Sequence, residues 1–188
     1  MSWTEIDLAK GVWTIPAARA KNSRAHEVHL SAGALTVLKN LPKPHSALVF
    51  SVTGDEAVSG FSRAKDRLDA VMLRLRRREL GLPETDDKLR RHLDMSKRRP
   101  LPVEIPHWTF HDLRRTAVTK MAENLKIAPH IVDKVLNHAS GTIRGVAAVY
   151  NRAAYIDERR AALEAWSTWI ATLTNPAALP SNVFGFRR

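Results

Sequence analysis

The chain contains no cysteine, which excludes disulfides and thiolate metal sites. It has two tyrosines, Tyr150 and Tyr155, so chemistry that needs a phenol has two candidates. No apolar run approaches the roughly 18 residues a membrane span requires, and no secretory signal opens the chain. Acidic residues are few: 19 against 30 lysines and arginines, for a formal net charge of +11. That imbalance points to polyanionic partners, nucleic acid first and an anionic membrane surface second. What is present is sufficient for a core, since 44% of the 188 residues are hydrophobic. About 100–200 residues make one domain, so one domain, or one and an appendage, is expected, in the cytoplasm.

The first thirty residues read as short strands, "WTEIDL", "VWTIP" and "HEVHL", with turns at "AKG" and "AKNSRA". Ser31 is expected to cap a helix over 32–40 that Pro42 and Pro44 terminate. "SALVFSV" reads as an extended or buried strand. From Ser59 the pattern becomes helical, with Phe61, Leu68, Val71, Met72 and Leu75 on one side. Residues 63–99 hold thirteen basic and seven acidic residues, a solvated face of which about half is expected to touch phosphate. The stretch 80–102 has no clean period and reads as a loop or irregular helix. Helices resume over roughly 110–124, 129–137 and 156–173, and residues 175–188 read as an extended arm. The fold class is α+β, mainly α: a small N-terminal antiparallel β-sheet followed by a helical body. Residues 1–174 read as a partial domain (1–30 the sheet, 31–174 the helical body) and 175–188 as a tail.

One stretch resists a purely structural explanation. In "TFHDLRRTAVTKM", His111 and Arg114 lie one turn apart on the same helix edge. Downstream come "LNH", ending in His138, and "GVAAVYNRAAY", holding both tyrosines. With the hairpin "IPAARAKNSRAHEVHLS", this ordered set resembles the tyrosine recombinase (phage integrase) family over nearly the whole chain. His111 and Arg114 match its H-x-x-R box, His138 its L-G-H box, Lys21 its hairpin lysine, and Tyr150 its nucleophile. Each element alone has a plainer explanation: a solvated or capping pair, a helix C-cap, or a turn lysine. Their order and combination carry the resemblance.

The resemblance implies cleavage of double-stranded DNA by transesterification, with no metal or other cofactor. Tyr150 would attack the phosphate, and the phosphotyrosyl ester would conserve the bond energy for rejoining. Arg114 would clamp the scissile phosphate in fork geometry. His111 would assist proton transfer at the tyrosine, His138 would hydrogen-bond a phosphate oxygen, and Lys21 would protonate the departing 5′ oxygen. Tyr150 lies twelve residues after His138, longer than the family's usual spacing, and "SGTIRGVAAVY" reads as a local insertion. Tyr155 would then be a packing residue. Other integrase subunits are implied as partners, a tetramer on DNA in the family.

The family's other arginine, in a T-G-x-R-x-x-E-like helix, has no counterpart here, and Arg19 and Arg24 in the hairpin are not substitutes. The expectation is a catalytic-domain fragment whose recombination is weak or absent. The competing reading is a degenerate, DNA-binding integrase remnant. A basic RNA-binding protein explains the charge but not the ordered elements. Type IB topoisomerases share the chemistry, but the hairpin, the "LNH" box and the length favour integrase. The final helix, with Leu163, Trp166 and Ile170 on one face, could pack at home or on a neighbouring subunit. Trp166 and Trp169 read as core or interface residues.

Overall fold

Short strands form at the N-terminus where β-branched and aromatic residues alternate with polar ones. In the computed structural model, which describes residues 1–41, 47–51, 56–85, 103–138 and 153–174, β1 (Ile6–Asp7), β2 (Val12–Ile15) and β3 (His26–His29) make an antiparallel sheet in that order. Trp13 stands opposite Ile6 on one side and Val28 on the other. The β1–β2 turn closes because Asp7 Oδ1 accepts the Ala9 and Lys10 N–H groups at 3.0 and 2.9 Å. Gly11 completes it at φ +64°, a region that favours glycine. Trp3–Glu5, expected within the first strand, is instead a 3₁₀ turn. Glu5 bends it: its Oε2 accepts both Ser2 N–H and Trp13 Nε1–H at 3.1 Å, and its Oε1 pairs with Arg19.

The described residues hold five α-helices. Ser31 caps α1 (Ala32–Asn40), as its position predicts, accepting Ala34 N–H at 3.5 Å. Leu30, Leu38 and Val49 form a buried cluster beneath α1, with Met1, Trp3 and Trp13 packed against it. The extended reading of 46–52 holds for its described residues. Trp3 N–H donates to Ala47 O at 2.9 Å and Val49 N–H to Met1 O at 3.1 Å, around a Ser2–Leu48 bridge.

The chain divides into two units, residues 1–57 with 111–188, and residues 58–110. The second unit contains α2 (Phe61–Glu79). The apolar stripe of α2 is present as expected, yet Phe61, Leu68, Val71, Met72 and Leu75 are all exposed. The basic run also departs from a simple solvated face. Arg77 is 2% exposed and donates to the Glu84 carbonyl at 3.3 Å, while its neighbours Arg76 and Arg78 pair with Glu79 and Glu84. Trp108 anchors the far end of this unit: its Nε1–H donates to Asp69 Oδ1 at 2.7 Å, with the Lys65 ammonium 4.8 Å from its ring centre.

In the first unit, α3 (Phe110–Glu123) is followed by α4 (Pro129–Val135) and α5 (Ile156–Thr174). Proline at the first position of α4 supplies the fixed φ and the missing N–H that a helix start tolerates. α5 packs on α1, α4 and β3 of its own unit. Glu164 fastens it, accepting the Ala32 N–H of α1 at 3.2 Å and bonding His29 of β3 at 2.7 Å. Trp166 and Trp169 stack at 5.0 Å and are half-buried, in keeping with a packing role.

β3 also carries a buried imidazole. Desolvation, and then the nearby Arg159 guanidinium, hold the His26 pKa below its ordinary 6.5. A histidine with a lowered folded pKa binds its proton more readily in the unfolded chain. Stability is therefore present above about 6.5 and is lost as pH falls below it. Thermal melts of the parent should move to lower temperature as pH drops from 7 to 5. His26→Gln should flatten that slope, and an unchanged slope would contradict the assignment.

Candidate active site

The site is assembled on three pieces of the first unit: the start of α3, the turn after α4, and the β2–β3 hairpin tip. His111 and Arg114 are exposed on the first two turns of α3, as their spacing requires. Arg115 beside them is held to Asp112 at 3.3 Å. After α4, Asn137 takes φ +56°, a left-handed conformation that ends the helix and that asparagine tolerates better than other side chains. His138 N–H then donates back to Asp133 O at 3.0 Å, closing the turn.

This turn brings His138 to Arg114. The Arg114 Nη2 donates to Leu136 O at 3.0 Å and lies 3.1 Å from His138 Nε2. Arginine can only donate, so Nε2 is the acceptor and the imidazole proton sits on Nδ1. Nδ1–H in turn donates to Asp133 Oδ1 at 3.1 Å. Asp133 therefore selects the tautomer and fixes the ring plane of His138. Both contacts of Arg114 use one nitrogen of a five-donor group, which leaves donors for an anion. His111, Arg114, Arg115 and Thr119 from α3, with Leu136 and His138 from the turn, line an open concavity of about 340 Å³. That is more than ten times the roughly 30 Å³ one water occupies in the liquid, so a phosphodiester has room to enter.

Lys21 is exposed at the hairpin tip. Its neighbour Asn22 donates through Nδ2 to Asn137 Oδ1 at 2.9 Å, across 115 residues of sequence. The tip is thereby tied to the turn that carries His138. Of the residues singled out from sequence, His111, Arg114 and His138 surround one concavity, and Lys21 sits on the loop fastened beside it. Tyr150 lies outside the described residues. Tyr155 is half-buried, its ring edge-on to His130 at 5.1 Å. Arg19 is engaged by Glu5.

Sequence marks Asn22 only as a turn residue and does not single out Asn137 or Asp133. Asp133 carries a weak local signal, a carboxylate five residues before a turn histidine. The two asparagines carry none that a periodicity search could register. Among the described residues, no group of three or more histidine, aspartate or glutamate side chains could hold a metal ion. Nor is any described helix long and apolar enough to cross a membrane.

Comparison with known proteins agrees with the geometry. The model of the phage integrase family matches residues 1–155. The chain is 30% identical over 169 residues to the prophage integrase IntA of Escherichia coli strain K12, covering 88% of this chain and 32% of that protein. It is 24% identical over 173 residues to the integrase of Shigella phage Sf6, covering 90% of this chain and 36% of that one. The chain thus spans about a third of the length of these curated relatives. No solved structure matches it.

Proposed function

The chain belongs to the phage integrase family, and we propose that it breaks and rejoins double-stranded DNA by tyrosine transesterification during site-specific recombination. The observation that carries this reading is the convergence of Arg114 and His138 from separate helices on one open concavity that His111 also lines. A solvated helix pair would not need a second histidine oriented by its own carboxylate, as Asp133 orients His138.

The proposed step balances simply. The Tyr150 phenol oxygen attacks the scissile phosphorus, with His111 assisting removal of the phenol proton. The bond between phosphorus and the 5′ oxygen breaks, leaving a 3′-phosphotyrosyl ester. Lys21 gives its proton to the departing 5′ oxygen. Arg114 donates hydrogen bonds to the non-bridging oxygens, where charge grows in the transition state, and His138 joins it through Nε2 when the imidazole carries both protons, with Asp133 as its counter-charge. Rejoining runs the same steps in reverse, with a 5′ hydroxyl as nucleophile. Within these 188 residues no T-G-x-R-x-x-E-like stretch supplies the family's other arginine, so cleavage by this chain alone should be slow. One missing phosphate donor is worth about 10²–10³ in rate.

The test uses a library of duplexes with randomised flanks and one 5′-bridging sulfur in place of oxygen at a central phosphate. The sulfur leaves as a thiolate that rejoins poorly, so a covalent adduct accumulates. Mass spectrometry should place the adduct on a tyrosine, and sequencing the captured DNA should return the preferred site. Binding with no adduct would leave the alternative, a DNA-binding remnant without catalysis.

A duplex contact of the second unit is proposed on α2. Arg63, Arg67 and Arg74 are exposed and fall on one face of that helix. Replacing all three by glutamine should weaken duplex binding and reduce the slope of log K against log salt by about 2–3, near 0.9 per phosphate contact. A slope unchanged by the triple substitution would place the DNA elsewhere.

A further inference from the structure

The amide pair Asn22–Asn137 is the one long-range side-chain bond at the hairpin tip that the proposed reaction has not used. Asn22 works at both ends of its amide. Its Oδ1 accepts the Arg24 N–H at 3.2 Å, which shapes the turn, and its Nδ2 reaches Asn137 at 2.9 Å. Arg24 N–H can only donate, so the oxygen must face it, and the orientation of the amide is fixed. Asn137 is equally constrained. It must accept a left-handed backbone at φ +56°, and it stands where the family's L-G-H box has glycine. Glycine would satisfy that backbone more easily. Asparagine adds what glycine lacks, a side-chain oxygen aimed at the hairpin.

The bond sits within a short turn gripped at three consecutive residues. Leu136 O accepts from Arg114, Asn137 Oδ1 accepts from Asn22, and His138 accepts from Arg114 at Nε2 while donating Nδ1–H to Asp133. We infer that Asn22 and Asn137 are positioning residues, forming a latch that holds the hairpin tip so that Lys21 delivers its proton beside the phosphate-binding pair. The inference rests on the transesterase reading above. A hairpin loop of polar residues, exposed at Lys21, Ser23 and Arg24, has little apolar surface to hold it in place. One partly buried hydrogen bond is therefore a large share of its restraint. The latch also ties the loop that carries the general acid to the turn that holds His138 and receives Arg114, so that these groups do not drift independently.

The latch predicts an effect confined to leaving-group protonation. A departing 5′ oxygen needs the lysine's proton; a departing 5′ sulfur, a far weaker base, does not. The captured site is resynthesised with oxygen and with sulfur, and single-turnover adduct formation is followed for the parent chain and for Asn22→Ala and Asn137→Gly. The glycine variant removes the acceptor while easing the backbone, so its folding is preserved. Both variants should lose about 10-fold or more on the oxygen substrate, since a misplaced general acid forfeits part of its 10²–10⁴-fold contribution. On the sulfur substrate they should stay within about twofold of the parent. Equal losses on both substrates, or none on either, would overturn the latch and leave the transesterase reading intact.

A second readout does not depend on activity. Backbone amide exchange at residues 21–24 should speed up in Asn137→Gly without DNA, and unchanged exchange overturns the latch by itself. Failure of the parent chain to form adduct even on sulfur would instead overturn the transesterase reading.

Discussion

Tyr150→Phe is expected to abolish covalent adduct on the sulfur-substituted duplex, while duplex affinity stays within about twofold. Removing one hydroxyl leaves the cationic surface intact, and that surface dominates binding. Under the proposed reaction it also removes the atom that forms the ester, so no partial activity should remain. Tyr155→Phe provides the contrast. Tyr155 is half-buried, stands at φ +51° before α5, and sets its ring against His130, as a packing residue does. Its phenylalanine variant keeps the ring and should retain adduct formation within a few-fold. If the adduct instead survives in Tyr150→Phe and disappears in Tyr155→Phe, the two roles must be exchanged.

The second large effect is at Arg114. Arg114→Ala should slow adduct formation by about 10²–10³ on oxygen and sulfur substrates alike, because in the proposed reaction the lost donors serve the phosphate and not the leaving group. Arg114→Lys should recover only part of this, since an ammonium keeps the charge but not the fork. Folding should survive either change. In the folded chain Arg114 contributes two hydrogen bonds at an exposed site, to Leu136 O and His138 Nε2, each worth about 0.5–1.5 kcal/mol. A loss of rate that merely mirrors a loss of DNA affinity would reduce Arg114 to a binding residue.

Local chemistry made much of the fold legible. Ser31 announced α1, because a cap is a property of a single residue. The three strands fell where alternation placed them, and α3 and α5 began and ended close to the limits of their periodic patterns. Trp3–Glu5 escaped for a tertiary reason. The strand propensity of this segment is overridden by a carboxylate that three separate donors share. Arg77 escaped because nothing in a run of three arginines says which one will turn inward. That choice is made by the Glu84 carbonyl seven residues away.

The site was legible to the same depth. His111 and Arg114 share a helix edge by arithmetic, and His138 follows from its box. That His138 is oriented by Asp133, and that Asn22 meets Asn137, depends on backbone geometry that emerges only when α3, α4 and the hairpin are folded together.

The seat of the last helix has a consequence for any assembly that trades helices between subunits. Glu164 and Ser167 occupy the amide hydrogens of Ala32 and Gly33, and Glu164 also holds the His29 imidazole. A protomer lending this helix outward must strip those groups bare before a neighbour's copy can clothe them again. Barter between identical chains would therefore be nearly neutral at equilibrium yet slow to begin. Its pace would be set by undocking rather than by encounter.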